Sequence, residues 1–311
     1  MRTNPAKTGN MATSTVTANP SATKSVSSRL SDYYTLTKPE VNLLILMTTS
    51  AGYYLGSRGP LNVAGLVNTL VGTLLVASGT ATLNQWMERV WDARMRRTAN
   101  RPIPSGRIGA SEAFLFGALL SLAGGLYLAA TVNRLSALLA VSTLLSYLLI
   151  YTPLKRQTPL CTLLGAFPGA MPTLIGWAGA ANKIEGQAWF LFAILFLWQF
   201  PHFLAIALMY RDDYDRAGYH MLPRFDRDSS FTRGEILAFT VLLVFVTLLP
   251  IAGRGQPVYL ICAALAGAFF LYHVLRLLKS TTAKMASRVV HASVLYLPVL
   301  LVLMAVYRAK R

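Results

Sequence analysis

Charge is scarce in this sequence. Asp, Glu, Lys and Arg make up 13% of its 311 residues, and only twelve are acidic. A soluble domain carries about twice that share, so the composition excludes a soluble globular fold for most of the chain. Cysteine is nearly absent. Cys161 and Cys262 stand alone with no CxxC spacing, which speaks against a thiolate metal centre or a disulfide framework. Both fall in apolar runs and read as small buried hydrophobes. The first 31 residues lack an apolar h-region and have no acid before Asp32. They do not read as a secretory signal; a disordered cytoplasmic tail over residues 1–31 is expected, although Ser, Thr and basic residues also suit an organellar transit peptide.

Apolar residues take the place of charge, at 54% of the chain. Nine uncharged stretches approach the roughly 20 residues that cross a bilayer. They cover about 41–57, 62–86, 111–130, 135–151, 160–180, 187–210, 236–253, 257–275 and 289–307. The fold class predicted is therefore all-α: a polytopic membrane protein with about nine transmembrane helices around a central cavity, forming one domain over residues 32–311. Pro159, Pro168 and Pro172 are expected to kink or interrupt the fifth span.

The net charge of +17 invites a nucleic-acid reading, but its distribution argues against one. Loops after even-numbered spans carry 17 Lys and Arg, whereas loops after odd-numbered spans carry four. That asymmetry is the positive-inside pattern, and it predicts a cytoplasmic N-terminus. The basic surplus is expected to face the lipid bilayer and phosphate groups, with no nucleic acid as partner.

Most of the few acids gather in the loops at 87–110 and 211–235. Asn84, Glu88 and Asp92 recur every fourth residue at the end of the second apolar run. On an α-helix they share one face within roughly 80°. Arg94, Arg96, Arg97, Arg101 and Arg107 follow, and Pro102 and Pro104 break any helix there. A solvated loop explains the arginines but not the spacing of Asn84, Glu88 and Asp92. Asp212, Asp213 and Asp215 sit where the sixth span emerges on the same side, with His202 eleven residues before Asp213. Pro201 is expected to open the sixth helix beside His202. At the end of the fourth span, Lys155 and Arg156 suit phosphate oxygens, as a point charge and a planar fork. Two acidic clusters on one membrane face can hold Mg2+ through Glu88, Asp92, Asp212 and Asp213, with basic residues around a diphosphate and apolar helices beneath for a long tail.

These motifs resemble those of the UbiA-type intramembrane prenyltransferases, whose first acidic motif reads here Asn84-x-x-x-Glu88-x-x-x-Asp92. Within that superfamily the likeness is strongest to the haem-farnesylating branch, the protohaem IX farnesyltransferases. The segments that carry it are LNQWMERVWDARMRRTANRPIPSGRI (83–108), YTPLKRQT (151–158), GAFPGAMPTLIGWA (165–178) and WQFPHFLAIALMYRDDYDRAG (198–218). Two departures stand out: Glu88 replaces a more usual Asp, and Val90 a further acid. The resemblance implies transfer of the farnesyl group of farnesyl diphosphate to a vinyl group of haem B, with addition of water. It implies diphosphate contacts from Lys155, Arg156, Arg97 and Arg101, a haem contact from His202, and Mg2+ between substrate and acids. Haem B would be substrate rather than cofactor. The product would pass to haem A synthase or a terminal oxidase, in a bacterial inner membrane or the mitochondrial inner membrane. Two alternatives stand beside this: the same chemistry on an aromatic quinone precursor, and a transporter whose acidic clusters bind a coupling ion.

Overall fold

The computed structural model describes residues 26–249 and 257–309, and among these every regular element is helical. In chain order they are α1 (Val26–Leu36), α2 (Pro39–Gly56), α3 (Val63–Asp92), α4 (Ala110–Thr131), α5 (Arg134–Ser146), a π turn at Tyr147–Tyr151, α6 (Thr152–Leu154) and α7 (Cys161–Ala181). Next come α8 (Gly186–Met209), α9 (Arg211–Ala217), α10 (Leu222–Phe225), α11 (Ser230–Leu248), α12 (Pro257–Lys279) and α13 (Ala283–Ala309). The tail expected over 1–31 lies outside the described residues as far as Ser25, while residues 26–31 belong to α1.

Among the described residues, eight helical stretches are long and apolar enough to cross a membrane. Their flanks expose large side chains such as Leu122, Leu149, Phe245 and Leu265, a surface that only lipid solvates well. The protein is a multi-pass membrane protein. The expected ninth span is α2, which takes its place in the bundle beside α7 but falls short of the others in apolar character. Gly52 and Gly176 set that contact. A Cβ on Gly52 would stand 2.2 Å from the Thr173 carbonyl oxygen, and one on Gly176 2.0 Å from that of Thr49. Small residues here let two backbones touch, the usual way helices associate where no hydrophobic drive exists.

Of the kink or interruption expected in the fifth span, the interruption does not occur. Pro168 and Pro172 lie inside a continuous α7, and Pro159 precedes it. The α8 helix likewise runs unbroken through Pro201. Gln199 beside it donates to Leu195 O and, across to α7, to Ala166 O. The real irregularity is one span earlier. The π turn closes with Thr152 N–H on Tyr147 O, one residue wider than an α turn. A single extra residue rotates everything after it by about 100°.

Caps fix where the helices begin. Asn62 caps α3 by accepting from Gly65 N–H, and Asn133 caps α5 by accepting from Ser136 N–H. At the start of α2, Lys38 has a left-handed backbone (φ 52°) directly before Pro39, a conformation that only surrounding packing sustains. That packing comes from α1. Leu36 is fully buried against Ile103 and Ile108, and its carbonyl accepts from Gln85. Arg107 ties the same loop to Asp32 on α1.

Candidate functional site

At one end of the bundle α3, α6 and the α8–α9 junction converge, and each polar group of the α3 motif meets a cation. Asn84 Oδ1 accepts from Lys38 Nζ at 3.2 Å, and its Nδ2 donates to Thr152 Oγ1 at 3.1 Å. Glu88 Oε1 lies 2.9 Å from Lys155 Nζ, and Asp92 Oδ2 lies 2.7 Å from Arg101 Nη1. Asn84, Glu88 and Asp92 are all buried, as one helix face pointing inward requires. The π turn aims Lys155: its ammonium also stands 4.5 Å from the Tyr151 ring. Burial works to lower the Lys155 pKa, but the Glu88 carboxylate, then Tyr151 and Tyr147, outweigh it and hold the ammonium well above its ordinary range.

The second acidic segment reaches the same mouth through one aspartate. Asp213 is buried, accepts from the backbone N–H of Arg97 at 3.3 Å and pairs with Arg216. Asp212 and Asp215 are exposed. The chain then folds back over the site, and His220 N–H donates to Lys155 O at 2.7 Å. Tyr219 hydrogen-bonds Glu88; burial, then the Glu88 charge, pushes its phenol pKa up. The two acidic patches therefore meet, joined by Arg97 to Asp213 and by Tyr219 to Glu88.

Three of the expected contact residues pack on other protein groups. The Arg97 guanidinium stacks 4.9 Å over Tyr210. Arg156 stacks 3.8 Å over Trp91, at a recess beside the mouth, while Lys155 next to it faces Glu88. His202, on α8, packs its ring on Trp198 and shares a hydrogen bond with Ser293 of α13 at 2.7 Å. None of these His202 partners belongs to the acidic patches.

Lys38 and Tyr219 are site residues that the sequence reading missed. Lys38 looks like part of a helix start, since nothing in the string reveals its left-handed turn toward Asn84. Tyr219 follows Gly218, whose positive φ of 76° ends α9, and that helix stop was the available signal.

The donor set suits a hard divalent ion completed by substrate. Among the described residues no three His, Cys, Asp or Glu side chains form a ready-made metal cluster. Asp92 Oδ1, however, is buried with no hydrogen-bond partner. An orphaned carboxylate oxygen beside Glu88 fits Mg2+, which takes one or two carboxylates and fills its shell with water and phosphate.

Residues 45–304 match the UbiA prenyltransferase family. A protein named protoheme IX farnesyltransferase from Solibacter usitatus (strain Ellin6076) is 47% identical over 287 residues, covering 89% of this chain and 98% of that protein. Another of that name, from Salinibacter ruber (strain DSM 13855 / M31), is 42% identical over 277 residues, covering 88% and 98%. Among solved structures, digeranylgeranylglyceryl phosphate synthase superposes with a TM-score of 0.72 at 20% identity, covering 90% of this chain and 98% of that one. A UbiA homolog from Archaeoglobus fulgidus bound to GPP and Mg2+ gives 0.59 at 14% identity, covering 88% and 99%. At such identities the structural likeness is one of fold.

Proposed function

The chain belongs to the UbiA prenyltransferase family, and from that membership and the charges at the mouth of its bundle we propose that it farnesylates haem B to haem O. The acceptor follows from near-full-length kinship with protoheme IX farnesyltransferases. The observation that carries the chemistry is the meeting of Glu88, Asp92 and Asp213 with Lys155, Arg101 and Arg97 at one mouth.

The C1–O bond of farnesyl diphosphate breaks, and the diphosphate leaves with the electron pair. Lys155 and Arg101 turn from their carboxylates to the departing oxygens, and Arg97 joins them by leaving the Tyr210 ring on which it stacks. Glu88, Asp92 and Asp213 would hold Mg2+, which would supply Lewis-acid neutralisation of the leaving group. The Tyr147 and Tyr151 rings beside Lys155 offer π faces to the allylic cation. The terminal carbon of a haem vinyl group bonds to C1. Water then adds to the inner vinyl carbon with loss of a proton, giving the hydroxyethylfarnesyl chain. Asn84 holds Lys38 and Thr152 in place around the reacting centre. Asp212 and Arg156 drop out of these roles, one being exposed and the other stacked on Trp91. His202 is the candidate for contact with haem deeper in the bundle. The site faces the cytoplasm of a bacterial cell membrane, and the product passes to haem A synthase or a terminal oxidase.

Purified protein in lipid, given haem B, farnesyl diphosphate and Mg2+, yields the farnesylated, hydrated haem by mass. Asp92→Ala abolishes this turnover while the helical bundle stays folded. Prenylation of a quinone precursor with haem B untouched would overturn the acceptor, and near-normal turnover by Asp92→Ala would remove Asp92 from the site.

A further inference from the structure

Arg156 is a partly buried cation without an anion. Its guanidinium stacks 3.8 Å over Trp91, and among the described residues it meets neither a carboxylate nor a hydrogen-bonding oxygen. Arg89 stacks 5.2 Å over Trp86, donates one N–H to the Trp86 carbonyl at 2.7 Å, and has no acid partner there either. The carboxylates of α3 are already taken, Glu88 by Lys155 and Asp92 by Arg101. Between the two stacked arginines lies a recess of about 190 Å³, walled by Trp86, Trp91 and Met87. That is below the size of a site for a whole organic ligand, and it suits one small head group. Glu88 and Thr152 also border it, but the Lys155 ammonium 2.9 Å from Glu88 offsets that carboxylate. The recess therefore keeps a net positive charge.

The residues around it face lipid. Val90, between Arg89 and Trp91 in the chain, is exposed, as are Leu149 and Ile150 in the π turn that leads to Arg156. Phe114 of α4 is exposed too and packs on Trp86 at 4.9 Å. Tryptophan beside such a surface marks the level of the head groups. We propose that the recess binds the phosphate of an anionic phospholipid. The forks of Arg89 and Arg156 take the phosphate oxygens, an arrangement that stacking on a ring pre-organises. Trp86 and Trp91 flank the glycerol, and the acyl chains run on past Val90 and Ile150. A head group of net negative charge is selected because two guanidinium groups stand there without acids of their own; a zwitterionic lipid brings a cation that the recess repels. Basic pockets between membrane helices are a recurrent form of lipid seat. This partner is separate from the prenyl donor and its acceptor, so the assignment holds whichever acceptor the chain uses.

The full chain is reconstituted in phosphatidylcholine vesicles containing a small share of phosphatidylglycerol brominated near the head group, and tryptophan quenching is read. Phosphatidylglycerol quenches more than the same share of brominated phosphatidylcholine, a comparison that needs no variant to fold. Arg89→Gln and Arg156→Gln each lower that preference about fivefold, the worth of one arginine beside an anionic membrane surface. Arg94→Gln, an exposed arginine just beyond α3, leaves it unchanged. Replacing Trp86 and Trp91 together by Phe removes the excess quenching, since Trp177, Trp189 and Trp198 lie outside the recess. Equal quenching of the wild type by the two lipids would overturn the proposal, as would an unaltered preference in the Arg89→Gln, Arg156→Gln double variant. A loss as large in Arg94→Gln would make the attraction a diffuse surface effect and defeat the recess. A double variant that keeps its lipid preference but binds inorganic diphosphate more weakly would assign the arginines to the soluble anion, and the lipid seat fails.

Discussion

Lys155 Nζ and Glu88 Oε1 stand 2.9 Å apart across 67 residues of sequence, with both side chains largely removed from solvent. Lys155→Met leaves Glu88 as an uncompensated buried charge and costs about 3–5 kcal/mol. Replacing both, as Glu88→Gln with Lys155→Met, restores most of that stability but no activity. Thermal unfolding in detergent of the two single variants and the double variant measures this; additive losses would show that the pair is not coupled.

Of the aspartates after α8, only Asp213 is buried against Arg97 and Arg216. Asp213→Asn therefore lowers turnover by about 10²-fold or more, on the scale of losing one electrostatic contact to a leaving group. Asp212→Asn, at an exposed position, costs far less. Single-turnover rates at saturating Mg2+ compare the two, and equal losses would return Asp212 to the site.

Lys38 carries a pH signature. Burial, then Arg101, lowers its pKa to about 7 from an ordinary 10.5. Between those values the unfolded chain holds a proton that the folded one lacks, so stability rises with pH there. Lowering the pH from 10.5 to 7 therefore destabilises the wild type through this group, with no further change below 7. Lys38→Met lacks that slope. Melting temperature against pH for both proteins reads it directly, and parallel curves would contradict the assignment.

Gly52→Ala tests the seam between α2 and α7. Alanine favours a helix over glycine by about 1 kcal/mol. Its Cβ would, however, fall 2.2 Å from a backbone oxygen of α7, which cannot move alone. The overpacking cost of about 1–3 kcal/mol wins, and the melting temperature falls. An unchanged or raised value would mean that the two helices part easily.

The membrane class, the helix count to within one, and the α3 motif were legible in the string. Long uncharged runs and a four-residue repeat are local signals that need no partner to be read. Asn84, Glu88 and Asp92 are indeed on one buried face, and Lys155 and Arg101 reach them. What escaped depends on backbone detail. The π turn at Tyr147–Tyr151 has no residue signature, yet it decides that Lys155 and not Arg156 faces Glu88. The prolines of α7 signal a kink or an interruption in the string alone, and packing in the bundle keeps the helix continuous through them. Asp212 and Asp213 are adjacent in sequence and equal in chemistry, and only the start of α9 separates a buried carboxylate from an exposed one.

The pairing of Glu88 with Lys155 and of Asp92 with Arg101 bears on biogenesis. A newly inserted chain can complete its bundle using salts drawn from its own sequence, so folding need not wait on the supply of metal, prenyl donor or porphyrin. Cells starved of iron should then accumulate intact, idle enzyme rather than lose it to membrane proteolysis.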